Sequence, residues 1–142
     1  MAIIRLHWLS LSPGVITSTV VAVASSVWLA LPEVVQRSLS VRSITMPFAL
    51  AAAEQVGGQP DLVVLFVVIT GVFGMAVGDI LFLRLAVRAG VARGAGLGAS
   101  SHGAGTARAY EMGQREGVVS SLVMMLAGVV TVLLAPLIGH IM

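Results

Sequence analysis

The sequence predicts an all-α, polytopic membrane protein with three full spans and two broken or re-entrant helical segments that form an inverted repeat. Three observations carry that prediction. The 142 residues are 58% hydrophobic and 10% charged, with a mean hydropathy of +1.04, whereas a soluble domain carries about 25% charged residues. Three apolar runs, 15–31, 62–80 and 118–138, have membrane-spanning length. Between them lie two stretches too polar and too interrupted by glycine and proline for ordinary lipid-facing helices.

The first run opens at Ser12-Pro13, a pairing that suits an N-cap followed by the first helical position. It continues to Leu31 and stops at Pro32. Seventeen residues rise about 26 Å, enough to cross a bilayer core. Arg5 and the apolar run could imitate a signal peptide. No small-x-small site followed by a soluble domain appears, so the segment reads as a retained helix.

Residues 33–58 are irregular: a short amphipathic piece from Glu33 to Leu39, then "SVRSITMP", "FALAAAEQV" and Gly57-Gly58. Pro60-Asp61 opens the second span. Residues 91–113 are again small and broken by glycine, and they contain "SSHGAGTARAYEMG". The third span follows. Each broken segment divides into halves of about 10 residues, roughly 15 Å or half a bilayer. Irregular backbone at that depth survives only against protein or a water-filled cavity.

A gapless shift of 57 residues lays the second segment on the first. Ser43 meets Ser100, Ala52 meets Ala109 and Glu54 meets Glu111. Leu65, Gly71 and Val72 meet Leu122, Gly128 and Val129, and Thr45 falls on His102. Broken helices at matching places in two repeats mark the binding site of secondary transporters. The chain therefore reads as one membrane domain over 1–142, with a first unit at 33–80, a second at 90–138 and an additional helix at 13–31. If each broken segment returns to its own side, Arg5, Arg84, Arg88, Arg93 and Arg115 share one face and Arg37 takes the other. Full crossings would split that group. The positive-inside rule favours hairpins, with the N-terminus in the cytoplasm and the C-terminus outside.

Other classes are excluded. All eight basic residues are arginine, and the net charge is only +2, so the pI near 10.5 says little about partners. No basic patch interleaves with aromatics, which speaks against nucleic acid. Without cysteine there is no disulfide and no thiolate metal site. The sequence has no HExxH, no GxSxG, no Walker A lysine and no dinucleotide-binding glycine pattern, so no enzyme, metal or cofactor is expected.

The words "SLSVRSITMPFALAAAEQVGGQPDLVVLFVVITGVFG" and "VARGAGLGASSHGAGTARAYEMGQREGVVSSLVMMLAGVVTVLLAP" resemble the LrgB/CidB family over residues 38–136, with 1–37 resembling it more loosely. Members are longer, and the chain is similar to their C-terminal portion. The resemblance implies a multi-pass protein of the inner (plasma) membrane. It implies a small LrgA/CidA-type membrane partner, and either of two roles. One is antiholin-like control of holins, murein hydrolases and lysis. The other is movement of a small monocarboxylate, as in the related plastid glycolate/glycerate translocator and in members linked to pyruvate. Two positions depart from the family pattern: Arg42 stands for a lysine, and Gly78-Asp79 for Gly-Pro.

Read for such a solute, each candidate has a functional and a structural role. Arg42 and Arg108 suit a carboxylate, since guanidinium offers it two parallel hydrogen bonds. Their alternative is ion pairing with Glu54 or Glu111, which could also sense pH or couple a cation, or simply be solvated. His102 could bind solute or carry a proton, with an ordinary pKa near 6.5, or bond a carbonyl freed by the break. Ser43, Thr45 and Thr106 could cap half-helices, while the same helix starts attract anions. Pro47, Gly103 and Gly105 would shape the backbone there. Gly71 and Gly128 read as close helix contacts. So little lipid-shielding area predicts a homodimer or larger assembly.

Overall fold

The computed structural model describes residue 17 and residues 20–141, and among these every regular element is a helix. The predicted start at Ser12-Pro13 and the charge of Arg5 lie outside the described residues. The described part of the first helix, α1 (20–28), stops earlier than Leu31. Ala30 turns left-handed (φ 49°), and the N–H groups of Ala30 and Leu31 donate back to Val27 and Ser26 at 3.0 and 3.1 Å. This closing motif satisfies the last carbonyls before Pro32 is reached.

Two short helices follow, α2 (Glu33–Ser40) and α3 (Met46–Val56). Pro47 sits in the first turn of α3, where its missing N–H costs nothing. Within the stretch 33–58 that the sequence reads as irregular, the break between α2 and α3 is short: residues 41–45 are non-helical, and Met46 and Pro47 already belong to α3. Gly57 (φ 74°) closes α3. The chain doubles back here. Arg37 Nη1 donates to the Val56 carbonyl at 2.9 Å, and the Gln59 N–H donates to Ser38 Oγ at 2.9 Å. One uninterrupted helix would hold residues 37 and 56 about 28 Å apart.

The first long helix, α4, runs from Pro60 to Arg84, 25 residues or about 38 Å. Its end falls within the continuation toward Val87 that the apolar run 62–80 allows. Asp61 in its first turn and Arg84 in its last complement the helix dipole. Asp79, where a proline was expected on resemblance, lies inside this continuous helix, so the departure does not break it.

The segment from Gly90 to Met112, α5, covers the stretch that the sequence reads as broken by glycine over 91–113. The structure is tighter: only His102 leaves helical geometry, at φ 47° and ψ −124°. That single residue reverses the chain. A Cβ at Gly105 would strike the Leu97 carbonyl, although a straight helix separates those residues by about 12 Å. The first half of α5 then runs parallel to the second long helix, α6 (Gln114–Ile141), with Gly94 on the Glu116 backbone and Gly98 on the Ser120 backbone. The second half runs antiparallel to it, through Thr106 with Met124 and Tyr110 with Gly117. Such approaches need glycine at the contact.

Helix ends recur at one interval: Glu33 to Gly90 and Arg84 to Ile141 are both steps of 57 residues. The core gathers Val41, Ile44, Ala49, Ala53, Val63 and Val67 with Ala127 and Ala135 of α6. The outer faces of α4 and α6 are apolar and exposed, as Ile69, Phe73, Ile80, Leu122, Leu133 and Leu137 show. Among the described residues, two helices, α4 and α6, are long and apolar enough to cross a membrane.

Candidate functional site

The two chain reversals meet. Thr45 and Met46 from the first and Ser101, His102, Gly103 and Ala104 from the second line one pocket of about 210 Å³, floored by Val67, Val68, Gly71 and Val72 of α4. A water's share of the liquid is about 30 Å³, so a solute of several non-hydrogen atoms fits. The lining is largely apolar.

His102 is the unusual residue of this pocket. It is 3% exposed. Its backbone dihedrals cost a non-glycine residue about 1–3 kcal/mol. The buried Ser43, within the non-helical stretch 41–45, engages the imidazole through its backbone. The predicted structural role, bonding a carbonyl freed by the break, thus has Ser43 as its partner. One carbonyl engages one of the two ring nitrogens, so the other is left facing the pocket and its ligand.

Arg42 stands beside this junction rather than in its wall. Its half-buried guanidinium acts on the His102 ring and donates Nη1 to Thr70 Oγ1 at 3.2 Å, one residue before Gly71. Among the described residues it has no carboxylate partner; the expected pairing with Glu54 is absent, and Glu54 is exposed on α3. Arg108 differs. It reaches Asp79 at 2.8 Å and Glu111 at 2.6 Å, which ties the second half of α5 to α4. It is a structural ion-pair member, away from the pocket. Asp79 is the partner that sequence reasoning missed, though an acidic residue within an apolar run was signal enough to ask for one.

The hydroxyls also divide. Thr45 occupies the N-cap position of α3 with extended backbone (φ −67°, ψ 149°), but its side chain makes no capping bond, so the capping role fails there. Its hydroxyl belongs to the pocket lining. Thr106 bonds Ser120 Oγ at 2.9 Å and Met124 Sδ at 3.7 Å, inside α5–α6 packing. It neither caps nor reaches the pocket. Gly103 is exposed on the pocket rim, with open space where a Cβ would stand. Pro47 is exposed beyond the rim. Thr70 and Ser101 were not foreseen; nothing in the local sequence marks either one, since each depends on a contact with a distant segment.

The model of the LrgB-like family matches residues 1–141, including the 1–37 stretch that the motifs covered only loosely. The uncharacterized protein YwbG of Bacillus subtilis is 38% identical over 109 residues, covering 77% of this chain and 48% of that protein. The holin-like protein CidB of Staphylococcus epidermidis is 34% identical over 99 residues, 70% of this chain and 43% of CidB. The holin-like protein CidB of Staphylococcus aureus has the same identity and coverage. The chain spans about half the length of the curated relatives it matches. No solved structure matches it. The all-helical fold, its two membrane-length helices and the family match over 1–141 together show that the chain belongs to the LrgB-like family of membrane proteins.

Proposed function

We propose that the chain is the solute-handling core of a membrane transporter for a small monocarboxylate of the glycolate, glycerate or pyruvate kind. In this reading α2–α4 and α5–α6 are two inverted units, each a re-entrant hairpin followed by a full span, and the hairpin tips meet near the bilayer midplane. With α1 the spans number three. Arg84, Arg88, Arg93 and Arg115 gather at one end, since Gly90 lies against Glu116, and Arg37 lies at the other. The positive-inside rule puts the four in the cytoplasm of a plasma-membrane protein. The observation that carries the reading is His102: a buried imidazole at the meeting point of two chain reversals, engaged by Ser43 on one side only, with an arginine beside it that has no carboxylate partner among the described residues. Such a place suits an anion, through the imidazole, the helix starts at α3 and at residue 103, and the Arg42 charge.

The test is uptake of a monocarboxylate panel by reconstituted vesicles, with and without a small LrgA/CidA-type membrane protein. Uptake of one member above protein-free vesicles supports the reading; no uptake of any, with the partner present, overturns it. The CidB relatives are named holin-like proteins, which favours a second reading. In it the chain regulates a holin-like partner and moves no solute. Partner-dependent dye leakage without carboxylate uptake would select that one. Either role requires cover for the polar tips, which a homodimer or larger assembly provides. Native mass measurement in mild detergent showing monomer alone refutes that assembly.

A further inference from the structure

Three of the residues that line the pocket carry a polar side chain: Thr45, Ser101 and His102. Their hydrogen bonds separate them. Ser100 Oγ donates to the Gly96 carbonyl at 2.8 Å, which uses its proton, so Ser101 is the donor in the 3.0 Å contact between the two serine hydroxyls. The Ser101 oxygen is also lodged against Gly74 of α4, 2.6 Å from where a Cβ would stand, and Gly74 does not line the pocket. Thr45 remains. It makes no capping bond, and among the described residues its hydroxyl has no partner. It is the one lining hydroxyl free both to donate and to accept a hydrogen bond.

Thr45 and His102 are counterparts across the 57-residue interval, and each stands at the tip of its own chain reversal. A solute held between the tips meets unlike groups: an imidazole with the Arg42 charge beside it, and a neutral hydroxyl. Around them Val67, Val68 and Val72 offer only hydrocarbon. A carboxylate accepts hydrogen bonds and cannot donate one, so it leaves the acceptor side of Thr45 unused. An oxygen on the carbon next to the carboxylate fits better. As a hydroxyl it donates to Thr45, and as an oxo group it accepts from it.

We propose that Thr45 is a specificity-determining residue, whose hydroxyl bonds the oxygen on the carbon next to the carboxylate, so that the site takes 2-hydroxy and 2-oxo acids in preference to unsubstituted acids of the same length. The inference rests on the transport reading and deepens it. The valine floor holds the methyl group of each such acid alike, so the preference comes from the one hydrogen bond. Thr45 is half-buried rather than sealed, so water replaces the missing partner when an unsubstituted acid binds. The preference is then that of a single neutral hydrogen bond, about fivefold in Kd, equivalent to about 1 kcal/mol.

The test is titration calorimetry on the whole protein in mild detergent with three acids of one carbon skeleton: propionate, 2-hydroxypropionate and 2-oxopropionate. The wild type is expected to bind the two oxygenated acids about fivefold more tightly than propionate. Thr45→Val, which removes the hydroxyl and keeps the branched shape, should weaken those two to the level of propionate and leave propionate unchanged. Thr45→Ser, which restores a hydroxyl, should restore the preference. If the valine variant does not assemble, Thr45→Ala removes the same hydroxyl and is expected to behave alike. A preference that survives in the valine or alanine variant overturns the assignment, as does equal weakening of all three acids, which would place the carboxylate itself on Thr45. Binding of all three by the wild type without preference also overturns it while leaving the carboxylate site standing. Binding of none removes the transport reading and this inference together.

Discussion

Replacing Arg42 with glutamine separates a binding charge from a structural one. Arg42 has five N–H donors, and one of them is engaged, to Thr70 at 3.2 Å. No carboxylate holds the group among the described residues, so the donors left over and the whole charge are available to a solute at the His102 junction. Losing a hydrogen bond to a charged group costs about 1.5–3 kcal/mol, or about one to two decades in Kd. The folded protein loses only the Thr70 contact, a bond worth about half as much, and glutamine retains an N–H donor toward it. Arg42→Gln should therefore weaken carboxylate binding by about 10- to 100-fold, read by calorimetry or the uptake KM, while its melting temperature in detergent moves little. Wild-type affinity in Arg42→Gln would refute the assignment. So would an affinity loss that tracks a matching loss of stability, because Arg42 would then act on the fold.

The remaining predictions concern the same junction and its supports. His102→Gln keeps hydrogen-bonding capacity without a proton site; since an imidazolium would favour a bound anion, acidification should raise wild-type uptake and leave the variant flat, and parallel pH profiles would remove the proton role. Asp79→Asn and Arg108→Gln should both loosen α5 from α4 and lower the melting temperature in detergent, with the double variant no worse than the worse single one, whereas strict additivity would show that the 2.8 Å pair is not coupled. Gly98→Val places a branched side chain on the Ser120 backbone, which has no room to give; overpacking costs of about 1–3 kcal/mol apply, so the variant should lose its monodisperse peak in size-exclusion chromatography, and a wild-type profile would contradict the parallel packing of α5 and α6.

Hydropathy alone placed the long helices, because an unbroken apolar run of membrane length has few folded alternatives. The same holds for the place of each chain reversal, which Pro47 and the glycines near His102 announce, and for the 57-residue interval that the helix ends then repeat. The sequence could not tell how wide each break is. Five residues leave helical geometry in the first and His102 alone in the second, since Gly105 lets the second half pack directly on Leu97. Nor could it sort the two arginines. Arg42 and Arg108 look alike along the chain, each lying in a broken segment that carries one glutamate, Glu54 or Glu111. What separates them is a neighbour 28 or 29 positions away, Thr70 for one and Asp79 for the other. Local composition determines where a chain can be helical in lipid. Whether a charge is matched or a space is filled depends on contacts between segments far apart in sequence, and no local pattern encodes those.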